Sequence, residues 1–395
     1  MNSQAAPPRR WSWATLATLV WIAITMIAAI KLAAAPLKHS VFPVYIAGVT
    51  DWLEGKPVYV ERPGLDLYRY PPPSLPLFAM LKPFGLSLGS ALWTLAGSVS
   101  LFAAAEALRK KILPGGDTWS DRQVGAYRMA LLLMAARSLW NAQANTAVGA
   151  LLMGGLAFAG QKLTGPSIPF ALALFLKPTV LPIILLPCAR KPLLGAMTAA
   201  SATVLAVVLS VPMTVEGAEL WKQWVEHGRA SAGERRVAFR DGWTALVAVE
   251  AALRGHLPEL DAAYPRWWLP VSAATAGLAL LCCLTRRCRR DPRAEIAQAG
   301  LLGTAWLLLM GPAIEPPTYL LMGPWLGWAV ASGVGTRLAL AALACGIASL
   351  VLPGTPTITA MAWTPALLPL TALLVAAWAL TIHPDRAGIP ESSPC

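Results

Sequence analysis

Residues 11–35 read WSWATLATLVWIAITMIAAIKLAAA, a run in which Lys31 alone carries a charge. A helix rises 1.5 Å per residue, so about 20 residues cross the ~30 Å hydrocarbon core of a bilayer. The run is long enough to do so, and longer than the ~7–15 residues of a secretory h-region. Ala33-Ala34-Ala35 imitates a signal-peptidase site, but the length predicts an uncleaved first span behind Arg9-Arg10.

The same texture recurs outward from this stretch. Of the 395 residues, 56% are hydrophobic and 13% charged, about half the charged fraction of a soluble domain. The apolar residues come in blocks, and the blocks predict an all-α, polytopic transmembrane bundle of about ten spans. The expected spans are 11–35, 87–108, 124–139, 145–160, 193–212, 268–285, 294–311, 318–333, 337–353 and 363–382. A further apolar stretch, 166–187, is interrupted by Lys177-Pro178 and Pro182, and each half is too short to span. A broken or re-entrant hairpin fits it, because proline breaks the helix and irregular backbone at membrane depth survives only inside protein or beside a wet cavity.

The net charge of +12 has a topological source. Arg9-Arg10, Arg109-Lys110-Lys111, Lys162, Arg190-Lys191, Arg286-Arg287, Arg289-Arg290 and Arg337 fall on one side of the ten-span arrangement. That side is expected to be the cytoplasm of a bacterial-type plasma membrane, with both chain termini there. No basic stripe interleaved with aromatic residues exists on a soluble segment, so nucleic-acid binding is excluded. Residues 1–385 read as one integral membrane domain and 386–395 as a short cytoplasmic tail. No cysteine falls in an expected outer loop, which argues against a disulfide framework. Cys282, Cys283 and Cys288 lack paired metal-ligand spacing, and His39, His227, His256 and His383 are scattered, so neither metal nor cofactor is expected.

Two long loops, 36–86 and 213–267, remain on the non-cytoplasmic side. Their tryptophans and tyrosines, mixed with charges and short apolar runs, predict interfacial helices lying on the bilayer. In the first loop a helix over 43–54, ended by Gly55, places Asp51 and Glu54 on one face. An acid beside the membrane surface can act as a general base toward a hydroxyl; an ordinary solvated interfacial helix explains the same charges. Arg69-Tyr70-Pro71-Pro72-Pro73 gives a stiff start to a short half-helix, where Arg69 and Lys82 can hold an anion or simply anchor the segment. Within the spans, polar residues are costly and informative. Arg137, Asn141, Gln143 and Asn145 gather where the third and fourth spans meet, Lys177 sits at the hairpin break, and Glu315 lies between Pro312 and Pro316-Pro317. All three places face the outer side, as suits a phosphate or sugar site; a loop wetted by interfacial water explains the same residues. In the second loop Glu226-His227, Glu234-Arg235-Arg236 and Arg240-Asp241 form either a lid over an anionic headgroup or a self-neutralising solvated loop.

Several of these pieces resemble the membrane glycosyltransferases of family 87. They are polytopic GT-C-type enzymes related to polyprenyl-phosphate-mannose-dependent mannosyltransferases. The matching pieces are Phe42 to Tyr45, Leu53-Glu54-Gly55-Lys56-Pro57-Val58-Tyr59, Tyr68-Arg69-Tyr70-Pro71-Pro72 and Leu81-Lys82-Pro83-Phe84. Trp140-Asn141-Ala142-Gln143-Ala144-Asn145 resembles the family's Asn-Gly-Gln-x-Asn element, Phe175-Leu176-Lys177-Pro178-Thr179 its Lys-Pro element, and Gly311 to Pro317 a further outer-side motif.

The resemblance implies transfer of a hexose, mannose for choice, from a polyprenyl-phosphate donor to a lipid or glycolipid acceptor, with membrane lipids around it and no soluble cofactor. It departs at two positions. The acid that precedes the family's Phe-x-x-Tyr element is Val41 here, and the central glycine of the Asn-Gly-Gln element is Ala142. Asp51 is the nearest replacement for the acid, followed by Glu54 and Asp66. Arg69, Lys177, Arg235 and Arg236 are then expected on the donor phosphate and Asn141, Gln143 and Asn145 on sugar hydroxyls, with Arg137, Glu315, Tyr45 and Tyr70 completing the site. A transporter of lipid-linked sugars and a catalytically inactive family member are the alternative readings.

Overall fold

The computed structural model describes residues 11–159, 164–230, 239–256, 258–259, 263–285, 292–312, 314–352 and 358–381. Arg9-Arg10, Lys162, Arg235, Arg236, the basic cluster 286–290 and the tail 386–395 lie outside these residues. The fold is all-α, as expected; among the described residues the sole extended pairing is an isolated bridge between Arg62 and Leu65.

Each expected span coincides with a helix. They are α1 (Trp13–Ala34), α4 (Gly85–Lys111), α5 (Asp121–Trp140), α6 (Asn145–Ala159), α9 (Pro192–Ser210), α12 (Trp268–Thr285), α13 (Pro292–Met310), α14 (Gly323–Ser332, preceded by a 3-10 turn Pro316–Met322), α15 (Thr336–Val351) and α16 (Ile358–Thr381). Among the described residues, five stretches are long and apolar enough to cross a bilayer by length and composition alone: Trp13–Ala34, Ser74–Lys111, Pro192–Met213, Trp268–Thr285 and Thr364–Thr381. The exposed faces are apolar too, with Leu19, Ile22 and Ile30 on α1, Val204 and Val208 on α9, and Leu278 and Leu281 on α12 turned outward. Contiguous apolar surface of this kind needs lipid as its solvent. The protein is an integral membrane protein.

The expected hairpin is present. α7 (Thr164–Leu176) ends at Lys177, a 3-10 turn covers Pro178–Val180, and α8 (Leu181–Arg190) returns to the end from which α7 came. Pro178 lacks an N–H and cannot continue α7, while as the first residue of the next turn it is pre-organised. The half-helices diverge, α7 packing on α6 and α9, and α8 on α13. Close approach needs small residues, since lipid supplies no hydrophobic drive between helices. A Cβ on Gly303 of α13 would lie 2.6 Å from the Pro182 carbonyl of α8, and one on Gly97 of α4 2.7 Å from Thr146 Oγ1 of α6. Buried side-chain hydrogen bonds add to these contacts: Trp21 Nε1 donates to Ser98 Oγ at 2.9 Å between α1 and α4, and Trp325 Nε1 to Thr304 Oγ1 at 3.1 Å between α14 and α13.

The two ends of the bundle differ. At one, Arg109 and Arg128 share the Glu106 carboxylate, and Arg128 also donates to the Ala14 carbonyl, locking α4 and α5 to the start of α1. At the other stand the helices off the spans: α2 (Phe42–Leu53), α3 (Ser74–Ala79), α10 (Gly217–Ala230) and α11 (Gly242–Arg254). Helix α2 matches the expected 43–54 helix, and Gly55 follows it with φ +66°.

Candidate active site

The end that carries α2 holds a cavity of about 960 Å³. Its polar wall is built by His39, Asp66, Arg137, Asn141, Gln143, Arg240 and Glu315. Its apolar wall runs through Leu37, Val41 and Val44 to Ile24 of α1 and Leu368 of α16.

The corner between α5 and α6 carries Asn141 and Gln143, and its backbone is held by five hydrogen bonds. Lys31 Nζ donates to the Trp140 carbonyl (3.1 Å), and the Val41 N–H to that of Asn141 (3.0 Å). Trp93 Nε1 donates to the Ala142 carbonyl (3.2 Å), and Thr146 Oγ1 to that of Gln143 (2.9 Å). From below, the Ala144 N–H donates to the Tyr45 hydroxyl at 2.9 Å. This support explains how Ala142 persists at φ +51°, a left-handed conformation that costs an L-residue roughly 1–2 kcal/mol. The position where the family's glycine is replaced is thus one that favours glycine. The second non-glycine residue at positive φ among the described residues is His39, φ +53°, on the same cavity; Lys31 donates to its carbonyl at 3.3 Å.

Tyr45 is fully buried and stacks on Phe78 with ring centroids 4.3 Å apart. Its hydroxyl also bonds that of Tyr70 at 3.1 Å, and the Tyr59 hydroxyl donates to the Tyr70 carbonyl at 2.9 Å. Burial pushes the Tyr70 phenol up to about 12, so it stays a neutral O–H; the Glu315 carboxylate nearby acts in the same direction. Tyr45 and Tyr70 therefore support the cavity from behind.

Lys177 occupies a comparable second layer. Its ammonium donates to Asn145 Oδ1 (2.9 Å) and Thr318 Oγ1 (2.8 Å), joining the α5–α6 corner to the 3-10 turn that follows Glu315. The hairpin break is what allows a lysine to reach both.

Among the described residues, two guanidinium groups face the cavity. Arg137, in the last turn of α5, donates to the Ser349 carbonyl of α15. Arg240 is pinned through its backbone: its N–H donates to Ile314 (2.6 Å), and its carbonyl accepts from the Tyr319 hydroxyl (2.6 Å). Burial, and then the positive Arg137, hold the Arg240 guanidinium below its ordinary value, with Tyr319 and Asp241 opposing. Two cations that disfavour each other in a half-buried wall suit an anion between them.

The remaining expected residues lie elsewhere. Asp51 is bonded by Arg62 through Nε (2.8 Å) and Nη2, and Arg62 also donates to the Val58 carbonyl (3.0 Å); the pair braces the 54–65 loop and does not line the cavity. Glu54 pairs with Lys56 at 2.7 Å on the exposed surface. Arg69 does not line the cavity, and its carbonyl accepts from Trp224 Nε1 (3.1 Å), which ties amphipathic α10 to the 66–73 segment. Arg240, which the sequence offered with Asp241 as either a lid over an anionic headgroup or a self-neutralising pair, lines the cavity. The signal that separates the two was present in Asp241-Gly242-Trp243-Thr244, a helix start: Asp241 Oδ1 accepts from the Thr244 N–H at 2.8 Å. That aspartate caps α11.

A sequence profile of glycosyltransferase family 87 matches residues 68–312, more than half of the chain. The chain belongs to this family. Among solved structures it is similar to the crystal structure of ArnT from Cupriavidus metallidurans bound to undecaprenyl phosphate, with a TM-score of 0.43 and 13% identity over 93% of this chain and 77% of that one. No curated protein matches the sequence. The family 87 match takes in Arg137, the Asn141–Asn145 corner, Lys177 and Arg240; it leaves Tyr45 and Asp51 before it and Glu315 just after it.

Proposed function

We propose that this family 87 protein, a membrane glycosyltransferase of the GT-C type, transfers a hexose, mannose for choice, from a polyprenyl-phosphate donor to a lipid or glycolipid acceptor. The observation that carries the reading is the meeting of Arg137 and Arg240 with two amides and two carboxylates in one cavity at the end of the bundle. Arg137 and Arg240 hold the donor phosphate, and Asn141 and Gln143 contact sugar hydroxyls. Asp66 takes the acceptor proton in place of the missing acid at Val41, and Asp51 has the bracing role that its bond to Arg62 supports. The acceptor oxygen forms its bond to the anomeric carbon as the bond from that carbon to the phosphate oxygen breaks. The polyprenyl phosphate leaves with a charge that the two guanidiniums stabilise.

The cavity faces the non-cytoplasmic side. Among the described residues Arg109, Lys110, Lys111, Arg190, Lys191 and Arg337 gather at the opposite end, which supports that orientation in a bacterial-type plasma membrane with cytoplasmic termini. The test is transfer from a labelled polyprenyl-phosphate mannose in membranes. Arg240→Ala and Asp66→Asn are expected to lose at least ~10²-fold in rate, and Asp51→Asn to keep most of it. No transfer from any polyprenyl-phosphate sugar, together with flipping of a lipid-linked sugar, would overturn the reading.

A further inference from the structure

Lys31 is the one charge in the apolar run 11–35, and it stands in the last turn of α1. A lysine so placed ordinarily snorkels, its ammonium reaching water or lipid headgroups. This ammonium turns onto the protein instead. It donates to the carbonyls of Lys38 at 2.8 Å, His39 at 3.3 Å and Trp140 at 3.1 Å, and it stands 5.3 Å from the centre of the Trp140 ring. An ammonium has three N–H donors, so three carbonyls occupy all of them and leave none for a substrate phosphate. Two of these carbonyls belong to the turn between α1 and α2. The third belongs to the last residue of α5, where a helix end leaves carbonyls without intrahelical partners. A second tie runs beside the ammonium, from the Val41 N–H to the Asn141 carbonyl at 3.0 Å. His39 at φ +53° and Ala142 at φ +51° flank these ties, and they are the two non-glycine residues at positive φ among the described residues. Backbone of that kind persists where its surroundings over-determine it.

We infer that Lys31 is a positioning residue for sugar transfer. Its ammonium fixes the 38–41 turn and the 140–145 corner to each other, and so the place of His39 relative to Asn141 and Gln143. Those three side chains line the cavity and Lys31 does not, so it acts through them. The inference rests on the sugar-contact role given above to Asn141 and Gln143, and adds what sets their place. Without the ammonium, Ala142 can relax toward negative φ and carry both amides with it. A displacement of about 1 Å in such groups can cost about 10²-fold in rate.

The test is Lys31→Met, which keeps an unbranched stem and removes every donor, alone and combined with Ala142→Gly. Glycine holds a positive φ without help, so the second change should restore what the clamp supplied. For transfer from a labelled polyprenyl-phosphate mannose, Lys31→Met is expected to lower kcat about tenfold or more with donor KM changed less than about threefold. The double variant should regain at least about threefold of that rate. Backbone amides at 38–41 and 140–144 should exchange hydrogen faster in Lys31→Met than in wild type, with α13 to α16 unchanged. Thermal unfolding and gel filtration identify a variant that fails to fold, and Lys31→Gln, which keeps an amide donor, then takes its place. Wild-type kcat in the folded variant overturns the inference. So does a double variant no faster than Lys31→Met, since the ammonium then acts other than through the strained corner. A raised donor KM at unchanged kcat overturns it as well, by placing the ammonium on the donor. If the wild type transfers no sugar, the polyprenyl-phosphate reading has failed, and equal exchange rates in wild type and variant would separately overturn the clamp.

Discussion

Replacing Tyr45 with phenylalanine removes one oxygen from the interior of the protein and nothing else. The ring that stacks on Phe78 at 4.3 Å remains, so the packing is kept. What disappears is the acceptor for the Ala144 N–H at 2.9 Å and the partner of the Tyr70 hydroxyl at 3.1 Å. A buried donor left without a partner costs about 1–3 kcal/mol, so Tyr45→Phe should be destabilised by about 2 kcal/mol. The Ala144 N–H lies one residue beyond Gln143, so the corner loses its support from below. A displacement of about 1 Å in a substrate-positioning group can cost about 10²-fold in rate. The expected outcome is a Tm lower by several degrees in detergent and a kcat/KM for sugar transfer down by at least ~10-fold. Tyr70→Phe leaves the Ala144 bond intact and should do less. The double variant should lose less than the sum of the two, because they share one hydrogen bond. A Tyr45→Phe protein that melts and turns over like the wild type, or losses that add fully, would refute the supporting role.

Three further outcomes follow from the site. Lys177→Met leaves Asn145 and Thr318 without their shared donor; transfer kinetics should show kcat reduced about tenfold with donor KM changed less than about threefold, and a large rise in KM would instead place the ammonium on the donor. Ala142→Val puts a β-branched residue at φ +51° and should lower stability by about 1–2 kcal/mol in thermal unfolding, whereas Ala142→Gly should be neutral or stabilising; the reverse order would show that the corner is unstrained. Asp51→Asn weakens the bond to Arg62 and should cost about 1 kcal/mol in stability with transfer within about threefold of wild type, and a loss as large as that of Asp66→Asn would return the base to Asp51.

The spans, the broken hairpin and α2 were legible because each is written in a contiguous stretch: an apolar run, a Lys-Pro interruption, a glycine after an amphipathic turn. The Asn141–Asn145 corner and Glu315 were legible because polar groups at span ends are rare enough to stand out. Asp51 and Asp66 could not be separated on such grounds. Which acid faces the cavity depends on Arg62 folding back onto α2, a bond that neighbours in sequence do not announce. For Arg240 the choice between an anion contact and a neutral pair stayed open, because a plausible partner stands one residue away. The support for the corner was hidden by distance, since Lys31 meets the Trp140 carbonyl across 109 positions and Tyr45 meets Ala144 across 99. Arg235 and Arg236 lie outside the described residues and stay an expectation from the sequence.

The corner at 140–145 also bears on how the chain is made. Its carbonyls are claimed by α1 through Lys31, by the start of α2 through Val41, and by α4 through Trp93, all of which leave the ribosome before it does. A nascent chain that inserts α5 and α6 without those three already seated holds Ala142 in its left-handed conformation only through local bonds, from the Ala142 N–H to Leu139 and the Gln143 N–H to Ser138. The full set of bonds at the corner is therefore withheld from partly assembled molecules. Enzyme turnover in a membrane preparation counts the molecules whose N-terminal third has been correctly threaded, which makes sugar transfer a more stringent gauge of biogenesis than the amount of protein in the bilayer.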